Sequence, residues 1–321
     1  PYTLGGEGVG VVVKAGGGLM ARRLLGKRVA IAAGPPDGAW QEMVVVEAKR
    51  ALPVPDSISD EQASMMFVNP ITAYAMVRDV LKVKKGQWLL QTGAAGALGL
   101  MVIALSKKMG FKTINVVRSQ DSADKVLAAG GDVTVVLGEQ NLIDEVARVT
   151  DGKGVGHALD CVGGQLFEQL TQCMSTYGQI VVYGTLGEAT APLVMRDIMM
   201  PMVKVTGFFL PSWLASQSIF ALLRTIRNIK GLLSSGSFDT PIKQTFALDD
   251  IHSALDASAT AGRGGKVILS AEQEGDHILL SIEDDGAGMD ADKLRLKAVE
   301  KGLMDTDAAE RLSDDEAFNL I

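Results

Sequence analysis

The residues of this chain best suited to chemistry lie in one short run, Gln91-Thr92-Gly93-Ala94-Ala95-Gly96-Ala97-Leu98-Gly99. Gly93 can take a tight turn with positive φ. Gly96 lets the backbone approach a pyrophosphate, whose charge a helix N-terminus favours, and Gly99 lets that helix pack closely on the preceding strand. The spacing is G-x-x-G-x-x-G, with Ala94 at a position where the common dinucleotide fingerprint has glycine. Small-residue turns also join strands to helices for packing alone, but a βαβ setting favours dinucleotide binding. Nineteen residues past Gly99 come Arg118 and Ser119, where an NAD site would place an acidic side chain for the ribose 2′-hydroxyl. Arg118 offers a planar donor fork that suits a phosphate. A solvated arginine at a strand end is the plainer alternative. With the carboxylate missing as well, the expected cofactor is NADPH rather than NADH.

Metal chemistry is not expected. Zinc needs clustered cysteine and histidine, whereas Cys161, Cys173, His157, His252 and His277 are scattered. His157 falls on an expected buried strand, where a packed core histidine explains it better than a ligand. Asp284, Asp285 and Asp290 lack the one-three-five spacing of a calcium loop. Over 321 residues the net charge is −7, so neither nucleic acid nor an anionic membrane surface is an expected partner. Two cysteines make no disulfide framework, and with no secretory segment in view the expectation is the cytoplasm, or the mitochondrion in a eukaryote. The 21 residues from 86 to 106 carry no charge, about the length of a membrane span. Gln87, Gln91, Thr92 and three glycines interrupt them, so a buried strand, a turn and a buried helix fit better.

These residues need elements to position them. Residues 1–52 read as β, with strands at Val9–Val13, Arg28–Ala33 and Met43–Val46 between glycine- and proline-rich turns. From Ser59 the pattern turns helical, Ser59 and Gln62 standing as a capping box. Strands at Trp88–Thr92, Thr113–Val117, Val133–Leu137, His157–Val162, Gln179–Tyr183 and Val203–Phe208 alternate with helices, including Ala97–Met109 and Ser122–Ala129. That alternation predicts an α/β fold with a doubly wound parallel sheet. A helical stretch from Pro211 to Leu233, a strand at Ile242–Phe246, a helix at Asp249–Ser258 and a strand at Lys266–Ser270 return the chain to the β domain. Beyond Ser270 acidic residues become dense, and a boundary is expected there.

The run of motifs resembles the zinc-free branch of the medium-chain dehydrogenase/reductase superfamily, the quinone reductases and mitochondrial-type enoyl thioester reductases. The matching pieces are Gly5-Gly6-Glu7-Gly8-Val9-Gly10-Val11-Val12, Asn69-Pro70-Ile71-Thr72-Ala73-Tyr74, the glycine turn, Ile114-Asn115-Val116-Val117-Arg118, Asp160-Cys161-Val162-Gly163-Gly164, Tyr183-Gly184 and Gly207-Phe208-Phe209-Leu210. The resemblance covers about residues 1–270. It implies a partial GroES-like β domain at 1–70, a Rossmann NADPH domain at 71–209 and a return to the β domain at 210–270. It also implies cofactor contacts at Asn69, Gly93, Ala95 through Leu98, Arg118, Ser119, Tyr183, Gly184, Phe208, Phe209, Leu210 and Lys266. Phe208 and Phe209 would serve equally well as core. The implied reaction is zinc-independent hydride transfer from NADPH to an activated alkene, such as a 2-enoyl thioester, or to a quinone, and homodimers occur among such proteins. The tyrosine expected as proton donor falls upstream of Pro1, so the catalytic residue is unknown, the N-terminal domain is read as cut short, and Trp40 is the one residue matched to the substrate pocket.

Residues 271–321 fit no part of that pattern. A strand at His277–Ile282, then Asp285-Gly286-Ala287-Gly288 and a helix at Lys293–Gly302, resembles a fragment of the ATP-binding domain of chemotaxis-type histidine kinases. That resemblance implies an adenine contact at Asp285 with backbone access at Gly286 and Gly288. The half-site is too incomplete to hold ATP usefully, and an inert acidic extension from a fusion or chimaera is the plainer reading. Two alternatives to a reductase follow: a nucleotide-binding protein without turnover, and a signalling ATP-binding component.

Overall fold

A computed structural model describes residues 3–34, 38–260, 266–273 and 276–282. The first part of the chain gives β1 (Glu7–Val11), α1 (Leu19–Leu24), β2 (Arg28–Ala32), β3 (Ala51–Pro53), α2 (Asp60–Ser64) and α3 (Val68–Ala75). The middle gives β4 (Trp88–Gln91), α4 (Ala97–Met109), β5 (Lys112–Val117), α5 (Gln120–Ala128), β6 (Val133–Val136), α6 (Leu142–Val149), β7 (Val155–Asp160), α7 (Gly164–Gln172), β8 (Met174–Val182), α8 (Met195–Met199) and β9 (Lys204–Gly207). Then follow α9 (Leu210–Ser216), α10 (Ile219–Ser234), β10 (Ile242–Ala247), α11 (Ile251–Thr260), β11 (Lys266–Gln273) and β12 (Asp276–Ile282).

Strands β4 to β9 form one parallel sheet in the order β6-β5-β4-β7-β8-β9. This is the doubly wound arrangement expected from the alternation, and its switch point falls between β4 and β7, the place beyond the strand ends where sheets of this kind bind ligands. Successive side chains of a strand point to opposite faces. Leu89 accordingly joins the core shared with α3 and α4, and Leu90 the core on the other face. Burying such a leucine contributes about 1.5–3 kcal/mol.

The uncharged stretch is β4, the glycine turn and α4. Leu98, Met101, Val102 and Leu105 of α4 pack in one core, and Ile103 faces another. Burial on more than one side accounts for its lack of charge. Gly110 ends the helix in the left-handed conformation (φ 77°), with Lys107 and Lys108 in the last turn. Among the described residues no helix is long and apolar enough to cross a membrane.

The second sheet has the order β10-β11-β12-β1-β2-β3. Several expectations are corrected here. Met43–Val46 is not a strand: Val45 is 89% exposed and Met43 62%, and β2 pairs instead with β3. The helix from Ser59 is broken. Ser59 does accept from Gln62 N, at 3.3 Å, but α2 ends at Ser64, and α3 restarts where the Glu7 carboxylate accepts from Phe67 N (2.9 Å) and Val68 N (3.0 Å). The Gln62 amide completes no capping box. It turns to residue 240, donating to Thr240 O and accepting from Thr240 N, both at 2.9 Å. The helical stretch after Pro211 divides into α9 and α10 at Gln217-Ser218.

The expected boundary at Ser270 falls inside β11, which runs on to Gln273. The strand expected at His277–Ile282 is β12, and it pairs antiparallel with both β11 and β1. Asp285, Gly286, Gly288 and the Lys293–Gly302 segment lie outside the described residues.

Candidate functional site

The glycine turn leaves β4 at the switch point. Gly93 has φ +60°, as its role in the turn requires, and a Cβ there would stand 2.7 Å from Cys161 Sγ. Gly99 meets the turn itself: a Cβ on it would lie 2.4 Å from Ala94 O. No side chain caps the first turn of α4, whose N-cap is Gly96, so the amide N–H groups at its start are open to an external acceptor. Ala95, Gly96 and Ala97 are half-buried around that opening, while the Leu98 side chain belongs to the core. Leu98 therefore has only its backbone to offer.

Beneath the turn lies a buried polar chain. Gln91 Nε2 donates to Gly99 O (3.1 Å) and to Asn115 Oδ1 (2.7 Å), and Asn115 Nδ2 donates to Val133 O (2.9 Å). This ties the end of β4, the middle of β5 and the start of β6 to the helix start. Arg118 follows at the end of β5, exposed and with no hydrogen bond or ion pair among the described residues. Its fork is free for an anion. Ser119 beside it is the N-cap of α5, accepting from Ser122 N at 3.3 Å. Its hydroxyl already has a local task, a residue-level role the phosphate expectation had left out.

On the other side of the switch point, Asp160 is fully buried and accepts from Thr92 Oγ1 (2.6 Å), Val162 N (3.1 Å) and Gly163 N (3.0 Å). The sequence marked Asp160 as part of a motif but gave it no task. Tyr183 and Gly184 follow β8. Tyr183 N donates to Asp160 O at 2.9 Å, and a Cβ on Gly184 would lie 3.2 Å from Cys161 Cβ. Phe208 is half-buried, with its ring centroid 6.3 Å from that of Trp213, and Leu210 packs partly on the same core. Phe209, by contrast, is 69% exposed and is not a core residue.

Asn69 is buried at the start of α3, which packs against α4. Lys266 is buried at the first position of β11, in the second sheet, and is engaged within the fold. Trp40 packs half-buried against the core of the second sheet. Its Nε1 has no hydrogen-bond partner among the described residues. The Tyr74 hydroxyl accepts from Asn228 Nδ2 at 2.7 Å.

His157 is only half-buried on β7. Its Nε2 meets Gln87 Oε1 at 3.1 Å, so Nε2 donates, and the buried Nδ1 has no partner among the described residues. Desolvation holds its pKa below the usual histidine value, in keeping with a packed neutral ring. Burial pushes the Cys173 thiol up to about 12, and both cysteines are free of disulfides. Among the described residues no group of three or more His, Cys, Asp or Glu is placed to hold a metal ion.

Known proteins share this arrangement. Residues 97–228 match the zinc-binding dehydrogenase family. A quinone oxidoreductase of Salmonella typhimurium is 30% identical over 82% of this chain and 81% of its own length. A mitochondrial enoyl-acyl-carrier-protein reductase of Caenorhabditis elegans is 32% identical over 66% of this chain, which spans 61% of that relative's length. The Escherichia coli quinone oxidoreductase, solved in complex with NADPH, superposes with a TM-score of 0.75 at 27% identity, covering 84% of this chain and 82% of that one. The chain belongs to the medium-chain dehydrogenase/reductase superfamily, in the branch that holds the quinone oxidoreductases and the mitochondrial enoyl reductases.

Proposed function

We propose that this chain is an NADPH-dependent, zinc-independent reductase acting on an activated alkene of the 2-enoyl thioester kind or on a quinone. The observation that carries the reading is the uncapped α4 start beside an exposed, unpaired Arg118. Bound NADPH supplies hydride from C4 of its nicotinamide.

The protein's part is binding and orientation. The N–H groups of Ala97 and Leu98 receive the pyrophosphate, and the Arg118 fork receives the 2′-phosphate. Tyr183, Gly184 and Phe208 line the other half of the crevice, and Asn69 approaches the nicotinamide ribose from α3. Lys266 contributes from the second sheet. Excluding water from this crevice strengthens each of these polar contacts. Two buried cysteines outside any disulfide suit a reducing compartment. A twofold homodimer joined along the exposed edge strand β9 completes the reading.

Fluorescence titration with NADPH and NADH, followed by NADPH oxidation with crotonyl thioester or a quinone, tests it. Tighter binding of NADPH and turnover with either acceptor are expected. Preference for NADH would refute the cofactor assignment. Binding without turnover on either acceptor would favour a nucleotide-binding protein that does no chemistry.

A further inference from the structure

The reductase reading gives no task to the buried contact between Thr92 and Asp160. We propose that these two are positioning residues, a clamp that sets the nicotinamide half of the crevice and leaves the adenosine half alone. The inference rests on the NADPH reading above.

The clamp spans the switch point. Thr92, the last residue before the glycine turn, donates its hydroxyl to Asp160 Oδ1 (2.6 Å) and accepts from Cys161 N (3.0 Å). The same carboxyl orders the loop after β7 through Val162 N and Gly163 N. That loop in turn fixes the segment after β8. Leu186 N donates to Cys161 O (2.8 Å), and Gly187 N and Glu188 N donate to Val162 O (2.9 and 3.1 Å). One carboxyl thereby sets the heights of three successive loops, those following β4, β7 and β8. Thr92 and Asp160 are both fully buried, so each lost hydrogen bond leaves a group that water cannot satisfy.

In a doubly wound sheet each half receives one mononucleotide. Arg118 and Ser119 stand on the β4-β5-β6 half, with the polar chain of Gln91 and Asn115 beneath them. The clamped loops belong to the β7-β8-β9 half. The two halves of the cofactor are therefore held by two hydrogen-bond systems that adjoin at Gln91 and Thr92, at the foot of the glycine turn.

Thr92→Val removes the hydroxyl at nearly constant volume, and Thr92→Ser keeps it. Each is titrated with NADPH and with 2′,5′-ADP, which carries only the adenosine half, at temperatures below each variant's Tm. The expected result for Thr92→Val is a Kd for NADPH raised roughly tenfold or more, with that for 2′,5′-ADP changed by less than about twofold. Thr92→Ser should restore NADPH binding. Equal losses for both ligands, wild-type affinity in Thr92→Val, or a serine variant as weak as the valine one would each overturn the clamp alone. If the wild-type protein bound neither ligand, the cofactor reading would fail and the clamp with it.

Discussion

At the scale of single residues, Arg118 should separate two cofactors that differ by one phosphate. Losing a charge-assisted hydrogen-bonding partner costs about 1.5–3 kcal/mol, so Arg118→Ala should weaken NADPH roughly 10- to 100-fold while barely moving NADH. Competition titrations of the two cofactors would read this, and equal losses would argue for a solvated arginine. Gly99 makes a second residue-scale case. An added methyl 2.4 Å from Ala94 O meets backbone, which cannot swing aside, so Gly99→Ala should cost roughly 1–3 kcal/mol in urea unfolding. His157 gives a pH signature. Its pKa is held below 6.5 by burial, so the unfolded chain binds more protons in the window between the two values. Stability is intact above that window and falls as pH drops through it. His157→Gln should flatten the loss of stability between about pH 7 and pH 5.

At the scale of elements, the join between α2 and β10 is the most exposed to a single change. The Gln62 amide holds both backbone groups of Thr240, and Gln62→Ala should lower the urea midpoint by an amount equivalent to about 1–2 kcal/mol. This contact also marks where reading the sequence stops working. The glycine turn, α4 and the six parallel strands were legible because their signals are local: period-two or near-continuous apolar runs, a helix uncharged until its last turn, a glycine at each sharp reversal. What depended on a distant partner was not. Met43-Val44-Val45-Val46 reads as a strand, but a strand needs an edge to pair with, and β3 occupies that edge of β2. Ser59 and Gln62 have capping-box spacing, yet the glutamine finds a better partner 178 residues away. The break before α3 is set by Glu7, 60 residues upstream. At the site, Gly93, Gly96 and Arg118 were legible. The Thr92–Asp160 contact joins positions 68 residues apart and could not be read from spacing.

At the scale of the whole molecule, β9 ends the parallel sheet with an edge that no strand among the described residues covers, and Tyr177, Met199, Met200, Met202 and Val205 are exposed in and around the segments that flank it. An unpaired edge beside apolar side chains invites pairing with a second copy about a twofold axis. Sedimentation should find a dimer, and Val205→Lys should shift it to monomer with the cofactor affinity unchanged; a wild-type monomer would remove the proposal. The second sheet has a different consequence. Its neighbour relations run against the direction of synthesis, because β1, at residues 7–11, is hydrogen-bonded to β12, at residues 276–282. The nucleotide sheet needs only residues 88–207 for its strands and can close while the ribosome is still adding the remainder. The other sheet must hold β1 and β2 waiting until β12 emerges, a long loop closure that slows its assembly. A cell making this protein therefore carries, for the length of that delay, a finished cofactor platform tethered to an unfinished β sheet.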